Sequence, residues 1–299
     1  MAFAAQAKRS APLARSNWVT ALVFLPPALA VFTIFVIMPV GEAAWYSLYN
    51  WDGYGTPSQF YGLRNYVSVL TNASFLKALL NNGWIILASL VVQLPLALGL
   101  ALYLAGRQIG TTTFRLIFFL PYILADVAAG LIWRFVFDGD YGLVSAISQS
   151  LGGQPVYMLA ERNLAEIAVL VVIVWKYFGF HMMLYIAGLQ GIDATLYEAA
   201  RMDGAGAWQR FRYVTLPQLA PMIRLSVFFS VIGSLQFFDM IVPLTGGGPF
   251  NSTHTMVSFL YSFGIMRMRV GFGSAVGVIL FCICVAFAFG YKRWIMRDE

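Results

Sequence analysis

The chain has 299 residues, of which 60% are hydrophobic and only 11% charged, and its mean hydropathy is +0.74. Soluble domains carry roughly 25% charged residues, so this composition excludes an ordinary water-surrounded fold and makes lipid the solvent. The net charge of +6 comes from scattered basic residues with no stripe and no reader motif, which gives no footing for nucleic acid as a partner.

A membrane-crossing helix needs about 20 apolar residues. Six windows reach that length: 18–43, 78–105, 114–137, 164–190, 218–243 and 271–293. They predict an all-α membrane protein with six transmembrane helices, one membrane domain over 18–293, and short flanking segments at 1–17 and 294–299. Lys8, Arg9 and Arg15 precede the first apolar run as they would in a signal peptide. That run extends from Trp18 to about Val40, longer than the ~7–15 residues of a secretory core, and is expected to be a retained helix broken near Pro26-Pro27. Pro95, Pro121, Pro217 and Pro221 predict further kinks, which membrane helices tolerate when neighbours satisfy the freed backbone groups.

Orientation follows from Lys and Arg near the helix ends. With the N-terminus inside, the inner segments hold twelve: Lys8, Arg9, Arg15, Arg107, Arg115, Arg201, Arg210, Arg212, Arg224, Lys292, Arg293 and Arg297. The outer segments hold six, Arg64, Lys77, Arg134, Arg162, Arg267 and Arg269, while Lys176 lies within the fourth helix. Both termini are therefore expected in the cytoplasm, with outer loops at 44–77, 138–163 and 244–270. The first of these carries Trp45, Tyr46, Tyr49 and Trp51, as an interfacial aromatic belt does.

The inner loop 191–217 carries the most specific pattern. Thr195 is a candidate cap for a helix whose Ala199, Ala200 and Ala205 permit close approach by another protein, and Gly204 and Gly206 permit a reversal after it. A second short helix with Trp208 and Phe211 facing apolar surroundings leads to Leu216-Pro217, where the fifth membrane helix is expected to start. Shape alone is equally compatible with an ordinary amphipathic loop helix. The spacing is more telling: Glu198-Ala199-Ala200, three residues, Gly204, nine residues, then Val214-x-Leu216-Pro217. It resembles the EAA motif of binding-protein-dependent ABC importer permeases. The resemblance implies a coupling helix that docks in a separate ATPase, with Glu198, Ala199, Ala200, Asp203, Gly204, Leu216 and Pro217 as the coupling residues.

Other stretches resemble the carbohydrate branch of that family, the maltose and glycerol-phosphate type. They are Tyr61-Gly62-Leu63-x-Asn65-Tyr66, Phe118-Phe119-Leu120-Pro121 with Trp133, Ala187-Gly188-Leu189-Gln190, and Phe238-Asp239 followed by Leu244-Thr245-Gly246-Gly247-Gly248-Pro249. Asp193 departs from the pattern, standing where these permeases usually have proline. The resemblance implies a type I ABC importer transmembrane domain in the bacterial inner membrane. It also implies a heterodimer with a sister permease, two ATPase copies that bind ATP and Mg, and an extracytoplasmic solute-binding protein. This chain would then hold no cofactor or metal and would not itself be an enzyme, and nothing in it matches the phosphate-binding G-x-x-x-x-G-K-[ST].

Charges at bilayer depth cost at least ~2.5–3.5 kcal/mol and need a reason. Glu166, Asp239 and Arg134 fall near helix ends, where water reaches them, whereas Asp126 and Lys176 need partners. Lys176 shares a helix face with Ile173 and Phe180. By the same resemblance, Ile173, Lys176, Tyr177 and Phe180 face Gly233, Ser234, Gln236, Phe237 and Asp239 across a sugar cavity; the alternative for the aromatics is plain packing. Lys176 has two readings, as a contact for an anionic substrate group or as an internal partner of Asp126 or Asp239. His181 is expected to pack between helices, and His254 is isolated. Cys282 and Cys284 are read as packing residues, and Gly273-x-x-x-Gly277 as a close helix contact. The competing function is an ion-coupled secondary transporter or channel, which would show repeat halves; residues 1–150 and 151–299 show no such likeness.

Overall fold

The structure is a computed structural model describing residues 13–106 and 110–296, with side chains from Leu22 onward. Lys8, Arg9, Arg107 and Arg297, the side chain of Arg15, and most of the two flanking segments lie outside the described residues. The described residues are helical apart from turns and one isolated antiparallel bridge between Tyr49 and Phe60.

The spans are α1 (Leu22–Tyr46), α2 (Ala73–Leu104), the bent pair α3 (Thr111–Ile123) and α4 (Asp126–Val136), α5 (Arg162–Gln190), α7 (Ala207–Leu235) and α9 (Val270–Trp294). Between them lie α6 (Ala194–Met202) and the short apolar α8 (Met256–Ile265). Among the described residues five helices are long and apolar enough to cross a membrane, and six if the bent pair counts as one span.

Prolines act at some expected places and not at others. The helix runs unbroken through Pro26 and Pro27. It widens instead into π-helix at Thr33–Ile37, two residues before Pro39, and the same happens at Ser89–Gln93 before Pro95 and Phe211–Thr215 before Pro217. A proline lacks the N–H that would take the carbonyl four residues back, so the preceding turn opens to a wider ring.

The third window is not one straight helix. Leu124 and Ala125 are extended, and the axis turns by 97° between α3 and α4. The fifth window also differs at both ends: α7 starts at Ala207, ahead of Leu216-Pro217, and stops at Leu235. Its stop has a cause in α2. The Asn82 amide donates to the Ser234 and Leu235 carbonyls and its oxygen accepts from the Met256 N–H, while the Thr255 hydroxyl donates to the Phe237 carbonyl. These groups satisfy carbonyls that a continuing helix would have satisfied itself.

Helix α5 is the centre of the bundle, packed on α2, α3 and α7. Gly179 permits its contact with α3: a Cβ there would lie 2.0 Å from the Phe118 carbonyl oxygen. Three apolar clusters surround it, one linking α2, α8 and α9 around Phe75, Phe259 and Phe272, one around Val172 and Met240, and one around Leu104 and Tyr185. Lipid is as apolar as these side chains, so close packing and polar ties carry the specificity of association. By contrast α1 is exposed throughout residues 22–41 and docks only by its end. There Asn65 donates to the Ser47 and Tyr49 carbonyls at 2.8 and 2.9 Å, which gives the Tyr61–Tyr66 signature a structural task.

Candidate functional site

A cavity of about 410 Å³ opens between α2, α5, α7 and the α3–α4 break. Ile173, Tyr177 and Phe180 reach it from α5 because residues at i, i+4 and i+7 share a helix face. Gly233, Ser234, Gln236, Phe237 and Asp239 reach it from the end of α7 and the turn beyond, where the stop at Leu235 leaves Gln236 and Asp239 exposed. Eight of the nine residues expected on this wall are thus brought together.

Lys176 is the ninth, and the expectation that it faces the cavity is corrected. Its side chain is buried, 1% exposed, and turns toward the bend in the third span. The ammonium donates to the carbonyls of Pro121 at 3.2 Å and Leu124 at 2.5 Å, and lies 3.0 Å from the Asp126 carboxylate. A break exposes carbonyls at the end of α3, where a cation is favourable, and N–H groups at the start of α4, where a carboxylate is favourable. Lys176 and Asp126 meet both demands at once. Asp126 also accepts from the Tyr177 hydroxyl at 3.0 Å and itself borders the cavity.

The remaining wall escaped the sequence reading. Ser89 and Gln93 come from the π-widened turn of α2, Tyr122 from the end of α3, and Phe229 and Ser230 from α7. His181 also lines the cavity rather than merely packing: its Nε2 is 3.2 Å from the Ser230 hydroxyl, and its Nδ1 is buried without a hydrogen-bond partner. The signal was available, since Ser89, Gln93 and His181 are polar residues at bilayer depth, a class that needs a reason as charges do.

Aromatic rings form a continuous band on one side. Phe180 stacks on Tyr122 with centroids 4.9 Å apart, and Tyr177 meets Phe237 edge-on at 5.8 Å. The wall also carries hydroxyl, amide and imidazole groups, and among the described residues its charged side chains are the carboxylates Asp126 and Asp239. Such a cavity can stack against the faces of a ring compound and direct hydrogen bonds at its edges.

The second surface lies at the far end of α5. Asp193, not Thr195, caps α6: its carboxylate accepts from the Thr195 N–H at 2.9 Å, which holds the carboxyl below its usual range. The residue that departs from the proline pattern therefore has a local function of its own. Gly204, with φ +77°, makes the reversal that L side chains rarely allow. Glu198, Ala199, Asp203, Gly204 and Pro217 are exposed, and Ala200 and Leu216 are half-buried. Trp208 is exposed at 71% on this chain, with its ring 5.5 Å from that of Phe211. Tyr197 anchors the surface: its hydroxyl lies 3.0 Å from that of Thr215 at the base of α7.

The family described as binding-protein-dependent transport system inner membrane component matches residues 14–297. The chain belongs to that family. This permease is 34% identical to the diacetylchitobiose uptake system permease protein NgcF of Streptomyces coelicolor, over 89% of this chain and 79% of the relative. It is 34% identical to the trehalose/maltose transport system permease protein MalF of Thermococcus litoralis, over 89% and 90%. The sulfoquinovosyl glycerol transport system permease protein SmoG of Agrobacterium fabrum is 33% identical over 93% and 91%. Among solved structures, a bacterial ABC transporter involved in the import of the acidic polysaccharide alginate superposes with a TM-score of 0.82 at 21% identity, covering 95% of this permease and 97% of that chain. That likeness concerns the fold. Family membership removes the basis for the ion-coupled reading.

Proposed function

We propose that this permease forms one half of the transmembrane path of an ATP-driven importer for an uncharged sugar. Residues 18–293 are its permease domain, and 191–217 the coupling loop gripped by an ATPase that binds ATP and Mg. A sister permease supplies the other half, and a solute-binding protein delivers the sugar at the face opposite α6. Both termini and α6 lie in the cytoplasm. In support, Arg115, Arg224, Lys292 and Arg293 gather at the α6 end; the Tyr291 hydroxyl donates to the Arg224 carbonyl and ties α9 to α7 there.

One observation carries the substrate class. The cavity pairs a band of aromatic rings with uncharged hydrogen-bonding groups, and among the described residues its wall carries no Lys or Arg. Lys176, next to the wall through Asp126, is already engaged by that carboxylate and three carbonyls. An anionic substrate would meet carboxylates without a free cation. NgcF, MalF and SmoG are all named for carbohydrates and differ on charge, sulfoquinovosyl glycerol being a sulfonate.

Mechanistically, ATP closes the paired ATPases, α6 follows them, and the Tyr197–Thr215 tie passes that motion to α7, which carries one wall of the cavity. Direction arises because each state must bind sugar and partners with different affinity. The test is uptake by the four-component importer in vesicles, with labelled maltose, trehalose, diacetylchitobiose and sulfoquinovosyl glycerol. ATP-dependent uptake of a neutral sugar is expected; uptake driven by an ion gradient with the ATPase omitted would overturn the proposal.

A further inference from the structure

A second pocket, of about 220 Å³, lies between α2 and the start of α5, at the end of the bundle away from α6. Its polar wall consists of Asn81, Asn163, Glu166 and Thr253, and the half-exposed Trp84 ring lies beside them. Ile85, 2% exposed, belongs to this pocket and to the central cavity alike. Ile85 therefore borders both spaces.

The polar groups are held in place. The Asn81 amide donates to the Ser252 and His254 carbonyls. Glu166 is paired with Lys77 at 2.8 Å and lies 3.6 Å from Arg162, so its charge is offset. An indole ring beside the fixed Asn81 amide, the Asn163 side chain and a compensated carboxylate suits a single polar, uncharged ring, by the same chemistry as the central cavity on half the scale.

We propose that this pocket is an outer sugar subsite, which takes one pyranose ring of the arriving substrate and passes it to the central cavity when Ile85 turns aside. The proposal rests on the reading of the central cavity as the translocation chamber. It fits a path in which the ring exchanges one aromatic and amide setting for the next without crossing bare hydrocarbon.

The experiment uses the assembled importer in vesicles with Cys282 and Cys284 replaced by serine and single cysteines at Trp84, Ile85 or Gln236, probed with a membrane-impermeant maleimide added at the face opposite α6. Trp84→Cys is expected to react in the resting and the ATP-plus-vanadate-trapped states, and Ile85→Cys only in the trapped state. Failure of both to react from that face, with Gln236→Cys reactive in either state, overturns the outer subsite alone. Failure of Gln236→Cys from either face overturns the reading of the central cavity. A second measurement takes whichever of labelled maltose, trehalose or diacetylchitobiose the parent importer accumulates. Trp84→Ala is expected to raise KM about tenfold, the equivalent of one lost stacking contact, with Trp84→Phe restoring it. An unchanged KM with lowered thermal stability would assign the pocket to lipid.

Discussion

The ammonium of Lys176 lies 3.0 Å from the carboxylate of Asp126, and the pair closes the break in the third span from both sides. Removing one partner of a fully buried pair costs about 3–5 kcal/mol, because it leaves the other charge uncompensated; here Asp126 is 33% exposed at the cavity, so the loss is smaller. Lys176→Met is therefore expected to lower the thermal midpoint of the purified permease, and Lys176→Met with Asp126→Asn to recover part of the loss. A single variant as stable as the parent would show that the pair does not hold the bend.

Asn82 performs a comparable task for the end of α7, where it reaches the Ser234 carbonyl and the Met256 N–H at once. Truncation to Ala leaves buried polar groups unmatched, a penalty of about 1–3 kcal/mol each. Asn82→Ala should speed amide hydrogen exchange across residues 234–258 while leaving α5 protected. Uniform exchange in variant and parent would contradict this.

Sequence disclosed the spans and one face of the cavity, because helical spacing is a property of local order. Ile173, Tyr177 and Phe180 share a face in any helix, and the structure keeps them together on the wall. Lys176 lies close enough to that face to join it, but its long stem follows carbonyls supplied by Pro121 and Leu124 some fifty residues earlier. Pro121 predicts a kink in this stretch, but nothing at Leu124-Ala125 itself announces a turn of 97°, since neither residue is a helix breaker. The stop at Leu235 was hidden for a similar reason, its satisfying groups being Asn82 and Thr255 on other elements. Asp193 illustrates the reverse. It read as a departure from a pattern, while its capping role was already written in the side chain.

His254 offers a pH test outside the spans. Burial, and then Arg267, lower its pKa from 6.5 to about 4. Its Nδ1 is 3.0 Å from the Ser258 hydroxyl, and Gly247 leaves the only space its ring could occupy, since a Cβ there would lie 2.0 Å from the imidazole. A histidine depressed in the folded state favours the neutral form. The stability it contributes is complete above pH 6.5 and is lost as pH falls toward 4. Exchange protection of residues 246–258 should accordingly weaken across that window in the parent and vary less in His254→Asn. Protection that is flat from pH 7 to pH 4 in the parent would contradict the burial of a neutral ring.

Tyr197 and Thr215 connect α6 to α7 through one hydrogen bond at 3.0 Å. Tyr197→Phe keeps the ring and removes the hydroxyl. The expected result is ATP hydrolysis within about twofold of the parent but a severalfold fall in sugar moved per ATP, since a neutral hydrogen bond is worth only ~0.5–1.5 kcal/mol net. Equal coupling ratios would place the transmission elsewhere.

The most direct test concerns what holds α6. On a permease with Cys282 and Cys284 replaced by serine, a cysteine at Ala200 should form a disulfide with a cysteine in the cleft of the ATPase, arrest uptake, and release it on reduction. Labelling of Ala200→Cys by an impermeant reagent only from the face where the binding protein arrives, with no cross-link to the ATPase, would contradict the coupling role of this loop and the orientation built on it.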